Sequence, residues 1–181
     1  MVMCVTDAHQ LPYILWQATT LEVRMANVDI KWLEENIFSR TLSNHEQDIL
    51  LEMIDVKSYT QSDKLITEGD ASQGLFLLYS GTVSLQYEKH GQAVRIAKLE
   101  AGAQMGDMAF FNHDLASATV KALETCEVYI IPEKSMDCLM QKHKELSHDL
   151  MLNTIRNLGS ALKNMNGFNA FAQQYIQGGT R

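Results

Sequence analysis

The stretch that decides the fold is "LITEGDASQGLFLLYSGTVSL", from Leu65 to Leu85. It contains short runs rich in leucine, β-branched and aromatic residues, and turn residues such as Gly69 and Asp70 separate the first two runs. Gly81 divides the second run from "TVSL", as in a hairpin, because glycine enters positive φ without steric cost. The pattern therefore predicts a strand, a turn, a second strand and a hairpin.

Runs of the same kind continue on both sides of this stretch, from Lys57 to Ile131. They are short, rich in residues that favour strands, and interrupted by glycines. These glycines are Gly69, Gly74, Gly81, Gly91, Gly102 and Gly106. The sequence predicts a mainly β fold with flanking helices, in which residues 57–131 form an antiparallel β jelly roll.

Helical patterns flank the predicted jelly roll. On the N-terminal side, residues 28–55 place apolar residues at helical spacing, and Ser43 and Glu46 form a capping-box signature. On the C-terminal side, Pro132 stands at a plausible first helical position, and no strong breaker precedes Gly159. We expect helices over residues 132–165, the last of them long.

The bulk composition restricts the class of protein. A chain of 181 residues with 46% hydrophobic content fits one domain, which we place at residues 28–165, between an N-terminal segment of uncertain structure (1–27) and a tail (166–181). The net charge of −7 disfavours binding to nucleic acid. Three widely spaced cysteines suit a reducing cytoplasm, and the first residues match neither a signal peptide nor a membrane span.

Two stretches resemble the cyclic nucleotide-binding domain, the regulatory module of catabolite-activator-type transcription factors, protein kinase A regulatory subunits and gated ion channels. They are the Leu65–Leu85 stretch and "MGDMAFFNHDLASATVKA", from Met105 to Ala122, which is similar to the family's phosphate-binding cassette. The resemblance covers about Leu42 to Met165. It implies a cyclic nucleotide ligand, cyclic AMP or cyclic GMP, at these cassette positions: Gly106, Asp107, Met108, Ala109, Ala116, Ser117 and Ala118.

The resemblance also implies a role for each cassette position. A short helix starting at Gly106 would point its first N–H groups at the phosphate, Asp107 would hold the ribose hydroxyl, and Ser117 would offer a hydroxyl to the base or phosphate. The arginine that pairs with the phosphate falls on Ala116. Since loss of such a partner costs about 2–5 kcal/mol, we predict weak or absent binding of cyclic AMP. His113 or Lys121 could supply charge instead, although each is typical of an exposed position.

No catalytic or metal site is predicted. The six histidines are scattered with no HxH pair, and the motifs of serine hydrolases and phosphate-loop enzymes are absent. Only about forty residues follow His143, so we expect no winged helix-turn-helix for reading DNA. The predicted function is a non-enzymatic, cytoplasmic ligand sensor. The alternative is a degenerate domain for dimerisation or protein interaction, and a weaker resemblance links it to the tails of sulfate-transporter-like proteins.

The predicted C-terminal helix carries an apolar stripe at spacings of 4, 3, 4 and 3 residues. Its members are Met151, Ile155, Leu158, Leu162 and Met165. This spacing is typical of a coiled-coil seam, although it lasts for only about two heptads. Two interpretations stay open: a homodimer through this helix, or packing of the stripe on the barrel of the same chain.

Overall fold

The computed structural model describes residues 28–89 and 92–178, with side chains described for 28–88 and 92–163. The predicted segment 1–27 and the last three residues of the predicted tail therefore lie outside the described residues. The remaining chain forms two four-stranded antiparallel sheets with flanking helices, and this arrangement confirms the predicted mainly β jelly-roll fold.

The strands follow one another along the chain without a long interruption except between β6 and β7. Their bounds are β1 (Asp55–Tyr59), β2 (Lys64–Ile66), β3 (Gly74–Ser80), β4 (Thr82–Lys89), β5 (Gln92–Glu100), β6 (Gln104–Met105), β7 (Thr119–Ala122) and β8 (Cys126–Pro132). One sheet has the order β1-β8-β3-β6 and the other the order β2-β7-β4-β5. The two sheets enclose the interior of the barrel.

Strand β3 is buried on both faces. Leu75 and Leu77 point into a core shared with the helices, whereas Phe76 and Leu78 point into the core between the sheets. Because successive side chains of a strand alternate between its faces, a strand covered on both sides consists of consecutive apolar residues. This explains the uninterrupted run "LFLL" that the sequence carries there.

Glycine is required at the β3–β4 corner. Gly81 has a φ of 89°, and a Cβ atom there would lie 2.5 Å from the backbone oxygen of Thr125. A residue with a side chain would therefore be both strained and obstructed. The hairpin predicted at this glycine was wrong: β3 and β4 are consecutive, but they belong to different sheets and do not pair, so Gly81 forms a corner between the two sheets.

The N-terminal helices are short. Helix α1 (Ile30–Leu33) continues into a π-helical turn (Glu34–Phe38), and α2 (Asn44–Met53) follows. Both hydrogen bonds of the predicted capping box are present: the Ser43 hydroxyl accepts from the Glu46 N–H at 3.3 Å, and the Glu46 carboxylate accepts from the Ser43 N–H at 2.8 Å. These bonds satisfy two amides at the start of α2.

The helices that follow the cassette differ in detail from the prediction. A short helix, α3 (Asp107–Asn112), lies within the cassette, and after the barrel come α4 (Glu133–Lys142) and α5 (Lys144–Gly178). Pro132 ends β8 and precedes the first helical residue instead of occupying it. The helical path breaks at His143 and then passes through Gly159, so the expectation of a first breaker at Gly159 was wrong.

An ionic cluster joins the N-terminal helices to α5. The Arg40 guanidinium donates from Nε to the Asp149 carboxylate at 2.7 Å and from Nη1 to the Glu46 carboxylate at 3.1 Å. Asp149 also lies 3.5 Å from the Nδ1 atom of His148. Because Asp149 belongs to α5 and Glu46 to α2, the arginine fixes the start of α5 against the preceding helices.

Removing one carboxylate of this cluster should give a pH-dependent loss of stability. Arg40 lowers the pKa of Glu46 from 4.5 to about 2, mainly through their hydrogen bonds. A lowered pKa means that ionised Glu46 stabilises the folded chain above its unfolded pKa, and that this contribution is lost as the pH falls towards 2. Since the pair is partly solvated, we expect Glu46→Gln to lower the free energy of unfolding by about 1 kcal/mol near pH 7.

Urea denaturation from about pH 7 down to about pH 2.5 measures this difference, which should shrink towards zero at the acid end. Glu35→Gln is the matched control, because Glu35 lies 3.8 Å from Lys31 with both side chains largely exposed. It should change stability little at any pH. An equal loss for Glu46→Gln at both ends of the range would contradict the electrostatic account.

Candidate functional site: a barrel cavity lined by the cassette

The cassette begins at a backbone position that requires glycine. Gly106 has a φ of 82° and precedes the first residue of α3. A Cβ atom at this position would lie 2.8 Å from the backbone oxygen of Gly74. The chain can therefore turn from β6 into α3 this close to β3 only because residue 106 has no side chain.

A cavity of about 290 Å³ opens beside this corner. All seven cassette residues singled out in the sequence line it: Gly106, Asp107, Met108, Ala109, Ala116, Ser117 and Ala118. The fold thus brings together two parts of the cassette that are separated by the rest of α3 and the loop after it. The prediction that they bind a ligand is taken up below.

Much of the cavity wall comes from residues that sequence reasoning missed. The strands contribute apolar side chains from both sheets, and the loop between β2 and β3 contributes polar ones. Among these residues are Ile66, Phe76, Leu85, Ile96, Leu99, Gln104, Val120, Thr67, Asp70, Ser72 and Gln73. The alternation of apolar residues along a strand predicts which side chains face inward. It does not predict which of these inward positions border the cassette.

Ala116 is buried and held rigidly. Its side chain is 8% exposed, its N–H donates to the backbone oxygen of Asp70 at 2.8 Å, and its own carbonyl accepts from the Gly69 N–H at 2.8 Å. These bonds lock the residue against the β2–β3 loop. A longer side chain introduced at residue 116 would therefore extend from a backbone whose position at the cavity wall is fixed.

Asp107 uses its carboxylate to satisfy the start of α3. The Oδ1 atom accepts from the Met108 N–H at 2.9 Å, and the carboxylate also accepts from the Asp107 N–H. Partial burial raises the pKa of Asp107 above 3.8, while these two hydrogen bonds oppose the increase. The Asp107 carboxylate thus occupies backbone N–H groups that, according to the family resemblance, would bind the phosphate.

No cation faces the cavity within the part of the chain that the structure describes. The charged side chains of the wall are Asp70 and Asp107, both acidic. His113 and Lys121, the two suggested alternative cations, do not line it. His113 is exposed at the end of α3, and Lys121 alternates with the buried residues Val120 and Ala122 of β7.

The cavity is not filled by the two phenylalanines of α3. Phe110 is 3% exposed and packs into the core beneath the helices, and Phe111 is partly buried against the same core. Neither lines the cavity. The side of α3 that carries Phe110 therefore anchors the cassette and leaves the barrel interior open.

Gln104 connects the cavity wall to α5. Gln104 borders the cavity, and its amide Nε2 donates to the Thr154 hydroxyl at 2.6 Å, on the face of β6 that lies beside Leu77 and the helices. Asn153 donates to the Gln104 Oε1 atom at 3.4 Å. Asn153 and Thr154 are 8% and 3% exposed, so these polar contacts are shielded from solvent. One residue thus belongs to both the cavity and the contact with the C-terminal helix.

The apolar stripe of α5 faces away from the barrel. Exposed fractions along it are 42% for Met151, 62% for Ile155, 38% for Leu158 and 59% for Leu162. The inward face of the same helix is formed by other buried residues, including Leu146, Leu150, Asn153 and Thr154. Packing of the stripe on the barrel of the same chain is therefore wrong for these four residues. The side chain of Met165 lies outside the described part of the chain.

Comparison with known proteins agrees with this geometry. The sequence model of the cyclic nucleotide-binding domain matches residues 56–143. The cAMP-dependent protein kinase type II regulatory subunit of Drosophila melanogaster is 31% identical over 83 residues, which are 46% of this chain and 22% of that protein. Residues 56–143 thus match the cyclic nucleotide-binding domain family.

Two further matches extend the comparison. The crystal structure of the Thermus thermophilus catabolite activator protein superposes with a TM-score of 0.58 at 26% identity, covering 71% of this chain and 61% of that one. Glutaminase 1 of Bradyrhizobium diazoefficiens is 26% identical over an alignment of 170 positions, which covers 81% of this chain and 27% of that protein. The chain spans about a quarter of the length of the kinase subunit and of the glutaminase.

Across residues 28–89 and 92–178, no three histidine, cysteine, aspartate or glutamate side chains are grouped so that they could hold a metal ion. The helices in these ranges are also too short or too polar to cross a bilayer.

A side chain at residue 106 should damage the corner on which the cassette depends. We expect Gly106→Ala to lower the free energy of unfolding by about 2 kcal/mol or more, because positive φ and the contact with the Gly74 oxygen both oppose it. Gly159→Ala is the control, since Gly159 lies in α5 with open space around it. That change should stabilise the chain by up to about 1 kcal/mol. Thermal unfolding compares them, and a neutral Gly106→Ala would contradict the account.

Proposed function

We propose that this chain is a ligand sensor, in which a small molecule bound in the barrel cavity acts on α5 and so signals to a partner or a second subunit. The observation that carries the proposal is the position of Gln104, which lines the cavity and hydrogen-bonds Thr154 of α5. A ligand that shifts β6 at Gln104 changes a buried contact with the helix. Such a differential contact is what a ligand needs in order to shift a conformational equilibrium.

The proposed unit comprises residues 28–165, and its ligand site is the cassette. Gly106, Asp107, Met108 and Ala109 form one part of that site, and the second part consists of residues 116–118. The match of residues 56–143 to the cyclic nucleotide-binding domain supports cyclic AMP or cyclic GMP as the ligand class. The lack of a basic residue among the described cavity residues predicts weak binding of either one.

The proposed module is regulatory instead of enzymatic, and its proposed compartment is the cytoplasm. The kinase regulatory subunit named above supports a regulatory role. Cys126 and Cys138 are free thiols, which suits a reducing compartment.

A second subunit is the proposed partner of α5. The stripe residues Met151, Ile155, Leu158 and Leu162 are each more than one-third exposed, which leaves a continuous apolar face on one side of the helix. Two copies of such a face can bury each other as a short coiled coil. A homodimer would then place the two cavities on either side of a shared helical pair.

The alternative function is a degenerate module that keeps the fold for dimerisation or protein interaction, for example as the tail of a sulfate-transporter-like protein. The observation that favours it is the Asp107 carboxylate, which satisfies α3 amides that a phosphate would otherwise contact. The open cavity favours the sensor, because a domain without a ligand has no need to keep a space of this size.

Restoring the missing arginine separates the two functions. We expect the double variant Ala116→Arg/Asp107→Glu to bind cyclic AMP at least about 30-fold more tightly than the wild type, since the returned cation recovers about 2–5 kcal/mol. The two changes should be non-additive because both side chains meet one small ligand. Isothermal titration calorimetry measures the affinities. A folded double variant with no detectable binding would favour the interaction module.

The contact between Gln104 and Thr154 should influence affinity from outside the cavity. In the double variant, we expect Thr154→Val to change the dissociation constant for cyclic AMP by about 5-fold or more, because coupling between two sites is reciprocal. Ser160→Ala is the control, since the Ser160 hydroxyl donates to the Arg156 carbonyl and not to Gln104. Equal affinities for the double variant with and without Thr154→Val would show that ligand binding in the cavity is not coupled to α5.

The dimer has its own test. We expect Ile155→Lys/Leu162→Lys to give a folded monomer, because two charges would replace apolar contacts at the centre of the seam. Analytical ultracentrifugation measures the mass and circular dichroism the fold, and Lys163→Glu serves as a charge-changing control on the same helix. A wild-type chain that stays monomeric at high micromolar concentration would rule out the homodimer.

A further inference from the structure

We infer that the cavity selects a small molecule that carries no negative charge and presents hydrogen-bond donors, and that Asp107 is the residue that excludes anions. This inference rests on the proposed sensor function, and it replaces the cyclic nucleotide that the family suggests with an uncharged ligand. It follows from two independent features of the cavity: the occupied amides at the start of α3 and the composition of the described wall.

The first feature is that α3 already holds an anion of its own. The Asp107 carboxylate accepts from the N–H groups of Asp107 and Met108, with 2.9 Å between the Met108 nitrogen and Oδ1. A bound phosphodiester would have to displace this carboxylate from both amides. It would also leave the carboxylate a few ångströms away in a partly desolvated setting, where like charges repel.

The second feature is the absence of any compensating cation in the described wall. Both charged side chains there are acidic, and the backbone around Ala116 is bonded to the β2–β3 loop through its N–H and its carbonyl. At an effective dielectric constant of about 20, one carboxylate at about 5 Å weakens binding of a monoanion by roughly 100-fold. The same carboxylate attracts hydroxyl and amino donors.

The remaining wall indicates the shape of the ligand's apolar part. Phe76, Leu85, Leu99 and Val120 supply apolar surface inside the barrel. Ile96 and Met108 also border the cavity and are 54% and 55% exposed. Two large apolar side chains left open beside a cavity form a surface that a ligand can cover. The ligand therefore combines an apolar body with donors directed at the Asp107 carboxylate.

A matched set of three probes tests this charge preference: adenosine, cyclic AMP and 5′-amino-5′-deoxyadenosine. They share a base and a ribose and differ in charge beside the ribose. We expect the wild-type chain to bind the uncharged and amino probes more tightly than cyclic AMP, by about 100-fold for adenosine. Wild-type affinity for cyclic AMP equal to or above that for adenosine would overturn the inference.

Two substitutions at residue 107 separate its charge from its occupation of the amides. Asp107→Asn removes the charge but keeps an oxygen for the Met108 N–H, and Asp107→Ala frees both amides. We expect affinity for cyclic AMP relative to adenosine to rise by about 10-fold or more in the first variant and further in the second. Asp114→Asn is the control, because the exposed Asp114 carboxylate accepts from the next N–H, that of Leu115, at 2.7 Å but does not line the cavity. An unchanged ratio in both Asp107 variants would assign the selectivity elsewhere and overturn the role of Asp107.

A fragment screen keeps the inference testable whatever the three probes do. Equal numbers of anionic, uncharged and cationic fragments of matched size are added to the wild-type chain and followed by ¹H–¹⁵N correlation spectra. We expect the fragments that shift the Gly106–Ala109 amides to be uncharged or cationic. Anionic fragments among the strongest binders, or no fragment at this site, would overturn the inference. Failure of the sensor function looks different, since a ligand would then bind without any change in α5.

Discussion

The burial of β3 on both faces is the constraint on which the rest of the structure depends. Phe76 and Leu78 face the barrel, and Leu75 and Leu77 face the helices. The strand pairs with β8 along its length and with β6 near the cassette. Each fully buried aliphatic or aromatic side chain contributes about 1.5–3 kcal/mol, so this strand holds the two cores in one fixed relation. It thereby positions the corner at Gly106, which lies against the Gly74 carbonyl.

The cavity beside that corner is lined by the predicted cassette positions, but its charges differ from those that the family resemblance implies. The family resemblance assigns a cation to residue 116, where the buried Ala116 leaves the described wall without a positive charge. The acid at residue 107 turns back on its own helix instead of remaining free for a ligand. These two differences act in the same direction, because both weaken the attraction for a phosphate. An open cavity with these properties is better suited to donors than to anions.

Those features that depend on neighbouring residues were predictable from the sequence. The Ser43–Glu46 capping box needs only four consecutive residues. The cassette is also one short stretch of sequence, and all seven of the residues singled out in it line the same cavity. Contacts between distant parts of the chain were not predictable. Gln104 and Thr154 are 50 residues apart, and Arg40 and Asp149 are 109 apart. No local pattern signals such pairs, since they depend on the register of strands and helices.

The C-terminal helix α5 also shows what a local sequence pattern cannot predict. Apolar spacing correctly identified a stripe at Met151, Ile155, Leu158 and Leu162, but spacing does not say what a stripe meets. The inward face changes from Leu146 and Leu150 to the polar pair Asn153 and Thr154, so its apolar signal fades along the helix. A single glycine at 159 costs about 1 kcal/mol of helix stability, which a helix continuing to Gly178 readily offsets.

The central claim is that occupancy of the cavity is transmitted to α5 through Gln104. Amide hydrogen exchange of the Ala116→Arg/Asp107→Glu variant, with and without saturating cyclic AMP, tests this claim most directly. The account predicts changed exchange both at the cassette amides of residues 106–109 and in α5 around residues 150–158. Protection confined to the cassette, with exchange in α5 unaltered, would contradict it.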